Sequence, residues 1–131
     1  MKPGYSWKIT RATNLRKWNA LNPLNAEITF EEWKEFVEQD PSFTWYTETP
    51  LCILDRNDAK FEGRRYRKAL YNYDILNNSC LMEFGFSEGI IIAYIAPKTQ
   101  KKLKKVFEVA DYFNAKVYKL YKEMKREEEL K

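Results

Sequence analysis

Two strand-forming runs joined by a glycine turn, with an amphipathic helix close behind, constrain this chain more than any other feature. Ser79-Cys80-Leu81-Met82-Glu83-Phe84-Gly85-Phe86 and Ile90-Ile91-Ile92-Ala93-Tyr94-Ile95 flank Ser87-Glu88-Gly89, the pattern of a β-hairpin. The second run is apolar at nearly every position, which requires burial on both faces or a covering helix. That helix follows at once. Pro97-Lys98-Thr99 offers its start, Leu103, Val106, Phe107, Ala110 and Phe113 recur at helical spacing, and Asn114 supplies a C-terminal cap.

A second helix is signalled by Ile28-Thr29-Phe30-Glu31-Glu32-Trp33. Thr29 as N-cap and Glu32 three residues on form a capping box, and Ile28 with Trp33 forms a hydrophobic staple. Phe30, Trp33, Phe36 and Val37 share one face, and Asp40-Pro41 ends the helix because the residue before proline is pushed out of helical geometry. Tyr5 to Thr10 alternates as a strand, and Arg11 to Asn25 reads as an irregular connection with a helical turn at Leu15 to Trp18. Ser42 to Leu54 reads as a strand broken near Pro50, and Arg56-Asn57-Asp58 as a turn. Phe61, Arg65, Arg67 and Ala69 to Tyr73 are ambiguous, since Tyr66, Leu70 and Tyr73 fit helical spacing while the Tyr, Arg and Lys alternation fits an exposed strand, and the balance leans to strand. Ala115 to Tyr121 reads as the last strand, and residues 122–131 as a charged tail, frayed or weakly helical. The 131 residues therefore predict one α+β domain, residues 1–131, mainly an antiparallel sheet of about five strands packed against two amphipathic helices.

Chemistry is hard to place on this chain. There is no histidine, which removes the commonest general base, the commonest transition-metal ligand and every Ser-His or Cys-His pairing. Cys52 and Cys80 are too few for a thiolate zinc site, and both lie in apolar runs that favour buried free thiols over a disulfide or a reactive thiol. Glu83 with Glu88, and Asp55, Asp58 and Glu62, read as solvated turn acids. No Walker loop, dinucleotide glycine pattern or serine elbow occurs. The expectation is a protein that is not an enzyme and uses no metal or cofactor. The N-terminus lacks the apolar run of a signal peptide, and Ile90 to Ala96 is too short to span a bilayer, so a cytoplasmic protein without a membrane partner is expected.

Charge offers more. The formal net charge of +4 hides segregation: Glu27, Glu31, Glu32, Glu35, Glu38 and Asp40 face Lys34 alone, whereas Arg64 to Lys68 and Lys98 to Lys105 are basic. The exposed side of the first helix, Glu31, Glu35 and Glu38, is one candidate partner-binding surface. The basic runs, Arg64, Arg65, Arg67, Lys101, Lys102 and Lys105, are another, for protein or for phosphate. Lysines crowd the first turns of a helix, where the macrodipole disfavours cations, so a partner or a nearby acid is expected to compensate, with the acidic first helix an attractive neighbour. Trp45, Tyr46, Tyr66, Tyr71 and Tyr73 read as core rings, with a stacking platform for single-stranded nucleic acid as the rival.

Ile28-Thr29-Phe30-Glu31-Glu32-Trp33 with Phe36-Val37-Glu38-Gln39-Asp40-Pro41-Ser42 resembles the opening of a family of small bacterial proteins of polymorphic-toxin and secretion-system loci. Phe84 and Phe86 before Glu88-Gly89-Ile90, then Pro97, Val109-Ala110 and Ala115-Lys116-Val117, are similar in the same order. Tyr118 to Glu123 stands where that family has an acidic Gly-Asp-Gly-Glu ending. The resemblance implies an immunity protein that binds and neutralises a cognate toxin without catalysis; a small nucleic-acid-binding module is the alternative.

Overall fold

The computed structural model describes residues 6–12, 27–49, 67–94, 97–120 and 122–130. Strands β1 (Trp7–Thr10), β2 (Phe43–Trp45), β3 (Ala69–Tyr71), β4 (Met82–Ser87), β5 (Ile90–Ala93), β6 (Lys116–Lys119) and β7 (Lys122–Met124) join helices α1 (Phe30–Gln39), α2 (Gln100–Tyr112) and the short α3 (Arg126–Glu129). The strands form one sheet in the order β2-β3-β4-β5-β1-β6-β7. Every neighbouring pair is antiparallel.

The hairpin read from the sequence is β4–β5. Glu88 and Gly89 both have positive φ, 49° and 83°, the two-residue turn whose twist matches that of the strands. Gly89 also accepts a hydrogen bond from Ile28 N at 3.0 Å, and a Cβ there would lie 2.8 Å from Cβ of Glu27, so close approach as well as φ calls for glycine. Ile28, the residue before the N-cap of α1, is thereby pinned to the central hairpin. The predicted capping box is present: Thr29 Oγ1 accepts from Glu32 N at 3.1 Å and Glu32 Oε1 accepts from Thr29 N at 3.0 Å. Asn114, at φ 52°, closes α2, with Ala115 N donating to Ala110 O and Asn114 N to Asp111 O.

Strand alternation aims Trp7, Ile9, Phe84, Phe86, Ile91, Ala93 and Val117 at the helices, where they meet Trp33, Phe36 and Val37 of α1 and Leu103, Val106, Phe107 and Ala110 of α2 in one core. Register keeps this face continuous: Phe86, Ile91, Ile9, Val117 and Met124 are successive partners across β4, β5, β1, β6 and β7. The helices run antiparallel. Arg11 bridges Glu32 in the first turn of α1 and the carbonyl of Phe113 just past the end of α2, whereas Asp40, just past the end of α1, meets Lys105 in the first half of α2.

The α+β architecture agrees with expectation, and the sheet has seven strands among the described residues where about five were predicted. One addition comes from the charged tail, where Lys122–Met124 forms β7 and Arg126–Glu129 a helical turn. An edge strand needs only one packed residue and benefits from charges that deter further pairing, so its Lys-Glu-Met sequence carries little strand signal. The strand expected from Ser42 shortens to Phe43–Trp45 and passes into a 3-10 turn, Tyr46–Glu48. The helical turn at Leu15 to Trp18, the stretch from Pro50 to Leu54, the turn at Asn57, and Cys52, Asp55, Asp58, Glu62, Arg64, Arg65 and Tyr66 lie outside the described residues.

Candidate functional site

The acidic run of the sequence divides in three dimensions into acids used inside the fold and acids left outside. Glu32 pairs with Arg11, which reaches it at 2.6 Å and also donates from Nε to Phe113 O at 2.8 Å, tying β1, α1 and the end of α2 together. The hydrogen bonds from Arg11, then that from Thr29 N, hold the Glu32 carboxyl well below its ordinary 4.5, at about 2. Asp40 accepts from Lys105 at 2.8 Å and from Ser42 N and Oγ at 2.9 and 2.6 Å. Burial alone would raise its pKa, but those bonds outweigh it and keep the carboxyl below its usual range. By contrast Glu31, Glu35 and Glu38 are exposed and make no ion pair among the described residues. Their spacing places them along one stripe of α1, opposite Trp33, Phe36 and Val37.

Beside this stripe lies a cleft of about 710 Å³ lined by Phe30, Lys34 and Glu38 of α1, Trp45, Thr47 and Glu48 after β2, and Arg67 before β3. Trp33 positions the far wall. Its indole Nε1 donates to Arg67 O at 2.9 Å, fixing the backbone from which the exposed Arg67 side chain projects. Half-buried Phe30 and buried Trp45 supply aromatic surface, while Lys34, Arg67, Glu38 and Glu48 give alternating charge. Such a mixed apolar and charged concavity suits a polypeptide better than a polyanion. Glu48 was not singled out in the sequence and Phe30 was read only as part of the apolar face of α1, since the juxtaposition arises only when β2 and β3 pair.

The basic candidates are scattered. Arg67 joins the cleft, Lys101 is exposed and Lys102 half-exposed on the first turn of α2, and Lys105 points the other way. The expectation that Lys105 binds a partner or phosphate is corrected: its side chain is only 8% exposed, paired to Asp40 and Glu108. Its ammonium also lies 5.2 and 5.1 Å from the ring centroids of Phe43 and Tyr71. Burial pulls the Lys105 pKa down, and the bonds to Asp40 and Glu108 more than offset this and hold it above the ordinary value. The anticipated compensation of α2 by an acid of the first helix is therefore real, and it consumes one of the lysines proposed for recognition.

The aromatic candidates resolve toward the core. Trp45, Tyr46 and Tyr71 are buried, so none offers a free ring face for a base, and Tyr73 is half-buried with its hydroxyl on Asn78 at 2.6 Å. On the sheet face away from the helices, Lys68 lies between Tyr46 and Tyr94, 4.8 and 5.6 Å from their ring centroids, and pairs with Glu83 at 2.5 Å. Cys80 is half-buried, and burial followed by the charge of Glu83 raises its thiol pKa, the opposite of an activated nucleophile. Among the described residues no cluster of three or more His, Cys, Asp or Glu side chains could hold a metal ion, and no helix is long and apolar enough to cross a membrane.

The geometry leaves an acidic helix stripe, without an ion-pair partner among the described residues, flanking a mixed cleft as the surface best built for recognition. No protein-family model matches the chain, and neither curated proteins nor solved structures give a match, so a functional reading stands on that surface.

Proposed function

We propose that this chain is a non-catalytic protein-binding protein of the bacterial cytoplasm, an immunity protein that docks a cognate toxin against α1 and the adjoining cleft and so occludes it. The observation that carries the reading is the stripe Glu31, Glu35 and Glu38, which makes no ion pair among the described residues, beside an aromatic-floored cleft. Exposed acids on a helix cost little in water and steer a basic partner, while half-buried Phe30 supplies apolar surface that slows dissociation. The nucleic-acid alternative has less support, because Lys105 is spent inside the fold and Trp45, Tyr46 and Tyr71, three of the rings proposed for stacking, are buried.

Co-expression with the protein encoded by the adjacent gene tests the proposal. A stable complex is expected, and the double variant Glu35→Lys with Glu38→Lys should slow association by about tenfold or more at low salt, with the difference shrinking at high salt. Absence of a complex, or association indifferent to those reversals, refutes it. Binding to single-stranded RNA that falls steeply with salt would favour the alternative.

A further inference from the structure

We infer that the groove between α1 and the outer edge of β2 takes an extended segment of a protein partner as an added strand. The segment carries an acidic and a basic side chain two residues apart, the acid seated at Lys34 and Arg67 and the base at Glu38 and Glu48. This rests on the protein-binding reading of α1 and names the part of the partner that enters the cleft.

The backbone of β2 is paired on one side only, since β3 is its sole neighbour among the described residues. The ladder fixes which groups face outward. Asn72 N donates to Ser42 O at 2.8 Å and Tyr46 N to Lys68 O at 3.0 Å, so by antiparallel alternation Ser42, Thr44 and Tyr46 turn their backbone groups to β3, while Phe43 and Trp45 direct theirs away from it. Phe43 N is taken by Asp40 O at 3.1 Å, and Trp45 O lies at the start of the 3-10 turn. Phe43 O and Trp45 N are left on the groove side without a backbone partner among the described residues. An acceptor and a donor at strand spacing select another main chain, which is how extended peptides add to a sheet edge.

Val37 and Glu38 of α1 face Phe43, Thr44 and Trp45 across a hollow of about 400 Å³, and Glu38, Trp45 and Glu48 also line the 710 Å³ cleft, so the two are continuous along β2. Phe30 at the start of α1 lies with Trp45 and Arg67, and Val37 near its end lies with Pro41 and Phe43, so helix and strand run in opposite directions along the groove. From Phe30 to Glu38 the helix rises about 12 Å, the length of about four extended residues. Four charges stand along it with no ion pair among the described residues, Lys34 and Arg67 toward the start of α1, then Glu38 and Glu48. Lys34 and Glu38 are separated by about 6 Å along the helix, close to the roughly 6.6 Å between side chains i and i+2 on one face of a strand. An acid and a base at that spacing each meet the opposite charge. A nucleic-acid strand would set phosphates against Glu38 and Glu48. A second copy offers β7, the other sheet edge, but Glu123 is engaged there by Lys116 and Lys125, and edge-to-edge addition of copies runs on into an open filament.

The test titrates the isotope-labelled full chain with short acetylated, amidated peptides of threonine and valine carrying Glu-x-Lys, and follows the backbone amides by NMR. Binding at about 1 mM or tighter is expected, with the Trp45 amide among those that shift most. Peptides with Glu-x-Glu, Lys-x-Lys or adjacent Glu-Lys should bind about fivefold more weakly, and the double variant Lys34→Glu with Arg67→Glu should prefer Lys-x-Lys instead. Methylating alternate peptide nitrogens should abolish binding in one phase and spare it in the other, because only one edge of the added strand meets β2. No shift at Trp45, equal affinity for every charge pattern, or equal loss from both methylation phases overturns the proposal. Trp45 shifts that grow with the chain's own concentration, or that RNA oligonucleotides produce and the peptides do not, overturn the proposed occupant. The complex with the adjacent gene's product is scored separately. If it forms while the peptides fail, the groove proposal falls and the protein-binding reading stands; if the peptides bind as expected and no complex forms, the groove stands as a peptide site and the toxin reading falls.

Discussion

Replacing Glu32 by Gln separates the two tasks of this side chain. Glutamine can still accept from Thr29 N, because a capping box works with either residue, but it cannot hold the Arg11 guanidinium by charge. The carboxyl falls from 4.5 to about 2 on folding, chiefly through Arg11. At about 1.4 kcal/mol per pH unit a fully sheltered group would contribute about 3 kcal/mol. With Glu32 39% and Arg11 26% exposed, water screens the pair, and we expect about 1 kcal/mol. The sign follows from the lowered folded pKa: the contribution is complete above the unfolded value of 4.5 and is lost as pH falls toward 2. Urea denaturation followed by tryptophan fluorescence should show Glu32→Gln about 1 kcal/mol less stable than wild type at pH 7, converging with it near pH 2 to 2.5. Glu32→Ala should lose about 1 kcal/mol more at every pH through the missing cap bond. A Gln deficit that is the same at pH 7 and pH 2.5 would refute the charge-pair account.

Lys105→Ala should cost about 3 kcal/mol or more in the same assay, because it strands the Asp40 carboxylate, 18% exposed, without its cation; Lys105→Met should recover part of the loss by keeping a stem over Phe43 and Tyr71. Gly89→Ala, at φ 83° and with a Cβ 2.8 Å from that of Glu27, should cost about 2 kcal/mol and lower the melting temperature by several degrees; an unchanged melting temperature would show that the turn and residue 27 yield freely.

Elements marked by neighbours in sequence were legible from the chain. The Thr29–Glu32 capping box, the Glu88-Gly89 turn, the α2 stripe and the Asn114 cap each act across at most a few positions, so residue type and spacing carry the whole signal.

The sequence by itself determined the α+β class, both long helices, the central hairpin and the segregation of charge. Tertiary structure alone decided which charges remained available. Lys105 looked like its neighbours Lys101 and Lys102 until α2 packed beside α1 and brought it to Asp40, 65 residues away in the chain. Arg67 entered the cleft because Trp33 bound its carbonyl, a contact spanning 34 residues. A lysine's helical position shows which face it occupies, but only the partners that converge on that face decide whether its charge is neutralised within the fold or left for another molecule.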